Sequence, residues 1–468
     1  MLAVVLAEMP GAPNHTIPMR RLLPILAPLA LLAALLVCAG PAQAQTGLSP
    51  ARGFVPRQVV VKFEGERART VTLPAGKSVR RTALALRRNP RVAYAVPNYI
   101  ATASVVSPSL ETLPNDPGTL PGTSEAAASA GDWSFKQWNF LPWEETAGSR
   151  LPVSPGGIDA IGAWANLEAA GHPGGEEIVV AVLDTGIAYR NDGGRFRRSP
   201  DFTLGQFVAG SDFVDHDRLP LDENGHGTHV AGTIAEKTDN GVGLTGLAYG
   251  ARLMPVRVLD KHGRGDAVAI AKGIRFAVAA GAQVINMSFN FGCGKRVPEV
   301  DEALRYAYSR GVVAVASAGN LGSETCVSAP ATGPRVIGVG GTTEGGCLGS
   351  YSLAGKEIDL VAPGGGAPSP GCPSISARAI YQVTLRTGST RIFAIPGNYI
   401  GTSMSAAHVS GAAALVLASG VLGPELKGRG LVKATTQRLR STARDLALPS
   451  SEQGAGLLDV GAATDPGA

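Results

Sequence analysis

From Trp133 onward the chain alternates short β-branched runs with alanine-rich stretches of helical period, and that alternation leaves few folds open. Residues 178–183, 252–258, 284–287, 312–316 and 336–339 read as strands, because branched apolar residues suit a pleated surface covered on both sides. Residues 267–280, 297–310 and 403–418 fall between or after them and read as helices. The pattern predicts an α/β fold: a three-layer, mostly parallel, twisted sheet with helices on both faces. Such sheets place ligands beyond the carboxyl ends of their strands, so chemistry is expected just after each strand.

Three segments meet that expectation. The first strand ends in Leu183-Asp184-Thr185-Gly186, a carboxylate beside a glycine that permits a sharp turn. Alone, Asp-Thr-Gly is weak: it is commonly just a turn, and aspartic peptidases carry the same tripeptide. Those enzymes need two such carboxylates, and only one copy occurs here. The second segment, Asn224-Gly225-His226-Gly227-Thr228-His229-Val230-Ala231-Gly232-Thr233, presents an imidazole at the start of a helix whose small residues allow close packing. A metal-binding histidine pair is the competing reading, but the glutamate and the spacing of the zinc-binding His-Glu-x-x-His motif are absent. The third, Gly401-Thr402-Ser403-Met404-Ser405-Ala406-Ala407-His408-Val409-Ser410-Gly411, sets a serine at the positive end of an apolar helix, where developing negative charge is favoured. A capping serine is the plainer reading, and capping needs no Gly-Thr-Ser-Met frame.

Together these segments resemble the subtilisin-like serine peptidases, in the order Asp, His, Ser that is known for subtilisin itself. The resemblance runs from about Trp133 to Asp459. It implies that Ser403 is the nucleophile, His226 its base and Asp184 the group that orients His226. Asn320, in Ala316-Ser317-Ala318-Gly319-Asn320, matches the family's oxyanion-hole asparagine, with the backbone N–H of Ser403 as second donor. Gly263-Arg264-Gly265 and Ser288-Phe289-Asn290 match the two edges that hold an extended substrate by its main chain. Phe289 and Asn290 replace the usual Leu-Gly, and Ala407 replaces the usual proline after the nucleophile. The resemblance also implies a structural calcium ion, with Asp201, Thr238, Asn240, Val242 and Leu244 as ligands and Asp116 as a further one. A plain Asn240-Gly241 turn is the competing reading there.

Residues 55–63 and 92–96 read as strands around a basic helical segment, residues 77–88, which makes a small β-α-β unit. It resembles the family's inhibitory propeptide, including a Val92-Ala93-Tyr94-Ala95-Val96-Pro97-Asn98 ending, and so implies a small α+β body acting as intramolecular chaperone and inhibitor. Residues 101–131, rich in Ala, Ser, Thr, Gly and Pro, read as linker. Ahead of it all, Met19-Arg20-Arg21, an apolar run over 22–37 and Ala42-Gln43-Ala44 read as an export signal cleaved after Ala44, with Met19 as a second candidate start. The run is too short for a stable membrane span. A lipid anchor on Cys38 is the rival, opposed by Val37 where a small residue is wanted. The expected organisation is signal peptide 1–44, propeptide 45–105, linker and processing region 106–131 and peptidase domain 132–468.

Export leaves four cysteines, Cys293, Cys326, Cys347 and Cys372, in an oxidising compartment, which fits disulfides with nearest-neighbour pairing preferred. A formal charge of +5 over 468 residues is modest and clusters only locally, as in Arg195 to Arg198, which reads as a solvated surface rather than a nucleic-acid site. The expectation is therefore a secreted protein, extracellular or periplasmic and monomeric, that cuts proteins or peptides. A catalytically silent pseudopeptidase that only binds proteins is the reading from another class.

Overall fold

A computed structural model describes residues 54–66, 69–99, 113–122, 129–145, 151–322 and 326–468. The expected signal peptide and its cleavage site lie outside the described residues, as do 106–112 and 123–128 of the expected processing region.

Residues 54–99 form a small sheet in which β1 (Phe54–Phe63) pairs antiparallel with β2 (Arg69–Thr72) on one side and β3 (Val92–Tyr99) on the other. Helix α1 (Val79–Leu86) begins at Ser78, whose side chain accepts from Arg81 N, and packs on β1 and β3. Val59, Val61, Leu73, Val79, Ala83 and Ala95 form the core. Strand β2 was not anticipated. Its mostly exposed Arg-Thr-Val-Thr has no apolar alternation of its own, and pairing such as Val59 with Val71 holds it instead.

The larger body runs α2 (Ala160–Ala170), β4 (Val179–Asp184), β5 (Ser211–Asp212), α3 (His226–Ala235), β6 (Arg252–Arg257), α4 (Ala267–Ala279), β7 (Val284–Met287), α5 (Pro298–Ser309), β8 (Val313–Ser317), β9 (Val336–Thr342), β10 (Leu360–Pro363), the hairpin β11 (Thr384–Leu385) and β12 (Phe393–Ala394), α6 (Thr402–Ser419), α7 (Gly428–Ser441) and α8 (Val460–Thr464). Seven strands lie in the order β10-β9-β8-β7-β4-β6-β5, and each described pairing among them is parallel.

Strand alternation builds the three layers. Val180 and Val182 face one core with Val284, Val313 and Val315, and helices α2, α3 and α6 cover it. Ala181 and Leu183 face the opposite core with Met254, Ile285 and Ala314, under α4 and α5. Asp266 caps α4 by accepting from Val268 N and Ala269 N, both at 2.9 Å, while α5 opens on Pro298 with Glu299 and Asp301 in its first turn. Helix α6 is apolar nearly all round and buried along most of its length, as a central helix must be. It runs through Ala407 without interruption, so the missing proline does not alter its entry.

Part of the segment read as linker is packed. Gly118 N donates to Gly243 O at 2.8 Å, Gly243 N donates to Thr119 O at 2.9 Å, and Asp116 and Leu120 are buried. Composition marks a stretch as solvated only on average, and one carboxylate with one leucine anchors this one. Cys293 is bonded to Cys326 and Cys347 to Cys372, the pairing preferred from sequence.

Candidate active site

Asp184 is the last residue of β4 and fully buried; His226 is the first residue of α3. Their side chains meet at Asp184 Oδ1 and His226 Nδ1, 2.8 Å apart. Glycine at 227 makes this approach feasible, since a Cβ there would lie 2.1 Å from the Gly186 carbonyl and 3.1 Å from the Asp184 Cβ. Burial disfavours the imidazolium of His226, but the charge and hydrogen bond of Asp184, with Asp222 adding, outweigh it and raise its pKa above 6.5.

Sequence reasoning missed Asp222. Its buried Oδ1 accepts from Thr185 Oγ1 (2.9 Å), Asn224 N (2.8 Å) and Gly225 N (3.0 Å), and its Oδ2 accepts from Thr228 N (3.0 Å) and Thr228 Oγ1 (2.6 Å). Thr185 Oγ1 in turn accepts from Gly227 N at 3.0 Å. One carboxylate thereby fixes the turn before His226, the first turn of α3 and the residue after Asp184.

Ser403 is the second residue of α6, in the dipole's positive end. Its hydroxyl donates to Ser288 O at 3.0 Å, and Ser288 Oγ donates back to Ser403 O at 2.8 Å. Among the described residues it makes no hydrogen bond to His226, so meeting the imidazole requires rotation of the serine side chain. Asn286 Nδ2 donates to Ser288 Oγ and Ser410 Oγ donates to Asn286 Oδ1, both at 2.9 Å, tying the end of β7 to α6. Asn320 follows β8, and its Oδ1 accepts from Thr402 N and Thr402 Oγ1, both at 2.9 Å. With its oxygen engaged, the amide nitrogen is left as a donor beside the start of α6; a Cβ on Gly401 would come within 2.9 Å of it.

The expected substrate edges fall at the same end of the sheet. Asp260 folds the first into a turn by accepting from His262 N (2.8 Å) and Arg264 N (2.9 Å), with Gly263 at a φ of 72° and Gly265 against the Val258 carbonyl. In the second, Ser288 is buried, Asn290 is exposed, and Phe289 is half-buried against Phe291. His229 does not pair with His226 as a metal site. It is buried, bonds Ile380 O through Nε2 at 3.1 Å and stacks on Tyr399 with centroids 4.0 Å apart, and burial pulls its pKa down to about 3.

The oxygen-rich loop after α3 draws distant segments together. Asp116 accepts from Asp239 N (3.1 Å) and Asn240 N (3.2 Å), and Asp201 accepts from Asn240 Nδ2 (2.7 Å) and Leu244 N (2.8 Å). Thr238 Oγ1 is bonded to Thr245 Oγ1, and Val242 N donates to Asn240 Oδ1. Burial pushes Asp116 up to about 6, with the charge of Asp239 adding, and burial pushes Asp201 well above the carboxylate range, with the charge of Asp116 adding. Glu236, also missed from sequence, is buried beside them with Oε1 unpartnered and its carboxyl pushed up likewise. Among the described residues no three His, Cys, Asp or Glu side chains form a metal-holding group. The expected set instead combines carboxylate, amide and carbonyl oxygens, and buried acids short of positive charge fit a hard cation.

Known proteins bear on the whole of this arrangement. The family model described as "Subtilase family" matches residues 175–456, which hold Asp184, His226 and Ser403. A thermophilic serine proteinase of Bacillus sp. (strain AK1) is 33% identical over 358 residues, 76% of this chain and 71% of that protein. Thermitase of Thermoactinomyces vulgaris is 34% identical over 294 residues, 63% of this chain and 91% of its own length. Among solved structures, a protease of Pseudoalteromonas arctica PAMC 21717 is similar with a TM-score of 0.57 and 27% identity, covering 75% of this chain and 99% of that one. The chain belongs to the subtilase family and is a serine endopeptidase.

Proposed function

We propose that Ser403, His226 and Asp184 carry out peptide-bond hydrolysis through an acyl-enzyme, and that the protein is exported as a self-processing zymogen. The 2.8 Å contact between His226 and Asp184, at the start of a helix packed against the one whose first turn carries Ser403, is the observation that carries this reading. After rotation of its side chain, Ser403 Oγ attacks the scissile carbonyl while His226 Nε2 takes the hydroxyl proton. Asp184 holds the proton on Nδ1, which keeps Nε2 a base and then stabilises the imidazolium. Asn320 Nδ2 and Ser403 N–H receive the oxyanion, and His226 returns the proton to the leaving amine. Water, deprotonated by the same imidazole, releases the acyl group and restores Ser403. Substrate backbone lies along residues 263–265 and 288–290.

Residues 45–105 act as the propeptide, chaperone and inhibitor, and the apolar run over 22–37 directs secretion of a monomer. Among the described residues no helix is long and apolar enough to cross a membrane. Calcium would be held by Asp201, Asn240, Thr238 and the carbonyl groups of Val242 and Leu244, with Asp116 as a further ligand, and would supply positive charge and order without taking part in acyl transfer. A fluorophosphonate probe should label Ser403, and Ser403→Ala should abolish hydrolysis and keep residues 45–105 attached, as read by intact mass. A folded, unlabelled wild type would point to the silent protein-binding scaffold instead.

A further inference from the structure

The hairpin β11–β12 packs against the residue that precedes His226. Thr384 Oγ1 donates to Gly225 O, immediately before His226, and a Cβ on Gly225 would meet Leu385 O at 3.1 Å and the Tyr399 hydroxyl at 3.2 Å. Beside the hairpin lies a cavity of about 380 Å³ whose lining includes Leu385, Arg386, Thr387, Asn398 and Tyr399. None of its lining residues comes from 263–265 or 288–290, so the cavity is separate from the acyl-side edges, and it adjoins the residue before His226, the group that returns the proton to the leaving amine.

The hairpin and the loop bonded to its tip are rich in arginine. The hairpin carries Arg386 and Arg391 and no acidic residue. Its tip is hydrogen-bonded to the loop that follows β4, through Arg197 N to Thr390 O at 3.0 Å and Thr390 Oγ1 to Arg195 O. Residues 190–198 of this loop add Arg190, Arg195, Arg197 and Arg198 against a single carboxylate, Asp192. None of the six arginines is ion-paired to another described residue, and all but the half-buried Arg198 are exposed. Of the six, Arg386 lines the cavity, and the others stand on the hairpin or on the loop bonded to its tip. Guanidinium groups without carboxylate partners recognise carboxylates and steer acidic chains towards them.

We propose that this cavity and its arginines form a binding site for the residues downstream of the scissile bond, selecting acidic side chains there. The inference rests on the peptidase reading above. Its test uses three substrates that share one acyl half: a peptide with glutamates in the first three downstream positions, its lysine counterpart, and a p-nitroanilide with no downstream residue. The glutamate peptide should exceed the lysine peptide in kcat/KM by roughly tenfold at low salt, and the ratio should shrink at high salt as screening grows. In the Arg386→Glu, Arg391→Glu double variant the ratio should fall to one or below. Equal rates for the two peptides, or a ratio that salt does not change, overturn the acidic site while p-nitroanilide hydrolysis upholds the peptidase. A ratio unaltered in the folded double variant removes these arginines from the assignment. Failure on all three substrates refutes the peptidase reading and this inference with it, and the wild-type ratio decides even if the variant does not fold.

Discussion

Asp222 makes the geometry around His226 a property of one buried carboxylate, because its five donors come from both the strand side and the helix side of the Asp184–His226 contact. It also adds negative charge near the imidazole, whose pKa stands above 6.5 despite burial. The unprotonated imidazole is the proposed base, so kcat/KM should rise with pH along a limb centred above 6.5, as a pH–rate profile reads directly. The raised value means that the imidazolium stabilises the fold fully below pH 6.5 and that this contribution is lost as pH rises through the folded pKa. Asp184→Asn should remove the chief raising influence and lower that limb, together with a large loss of kcat. Asn320→Ala should cost roughly 10² to 10³ in kcat with little change in KM, a magnitude known from subtilisin itself rather than derived from this geometry. The proposed triad residues stand out in the sequence because each sits where an element ends or begins, in a glycine-containing segment that leaves a mark. Asp222 and the relay through Thr185 do not, because their work is to accept or pass on hydrogen bonds across the fold, and nothing local distinguishes such an Asp or Thr from a turn residue.

At the scale of elements, apolar runs located β4, β6, β7, β8 and β9 to within three residues at either end, since each is buried on both faces and carries its own signal. Strand β10 was passed over: Leu360–Pro363 is four residues long, ends in proline and is preceded by a charged stretch. Helix α7 was missed for a different reason, since it buries only Val432, Thr435 and Leu439 and shows mostly polar residues along its length. Both are held by neighbours rather than by local preference. The two disulfides act on the connections between such elements, spanning separations of 33 and 25 residues. In the loop-entropy account each contributes about 3.5 kcal/mol. Reduction of the folded protein should therefore lower the melting temperature, and thiol titration of the unreduced protein should find none of these four cysteines free. Cys293→Ser with Cys326→Ser should reproduce part of the reduction effect, and an unchanged melting curve would show that the loop beyond β7 is held by packing alone.

Across the whole molecule, the loop after α3 joins three segments that the chain keeps far apart: residues 113–122, Asp201 beyond β4, and residues 238–244. Asp116 lies 124 residues from Asn240 yet accepts from its backbone, so disorder in this loop would free the entry of the chain and the end of the helix that begins with His226. Without a cation the buried carboxyl of Asp116 favours its proton, with a pKa near 6 against an ordinary 3.8. The contribution of this group to metal-free stability is therefore complete below pH 3.8 and is lost as pH rises through about 6. Asp201 and Glu236 are raised for the same reason and act in the same direction. Calcium binds the ionised carboxylates, so its stabilisation should grow over the window in which the metal-free fold weakens. At a hundredfold excess over Kd that stabilisation is about 2.7 kcal/mol. Melting curves of Ser403→Ala, chosen to suppress autolysis, should nearly coincide with calcium and with EDTA at about pH 4 and separate by several degrees at about pH 7. Asp201→Asn should remove most of the separation while leaving both curves closer to the metal-free one. Immediate turnover of the wild type should barely respond to EDTA, because the ion orders the scaffold and touches no reacting atom. Coincident curves at both pH values would reduce Asn240-Gly241 to a turn, and instant loss of activity restored by zinc would remove Ser403 from the chemistry altogether.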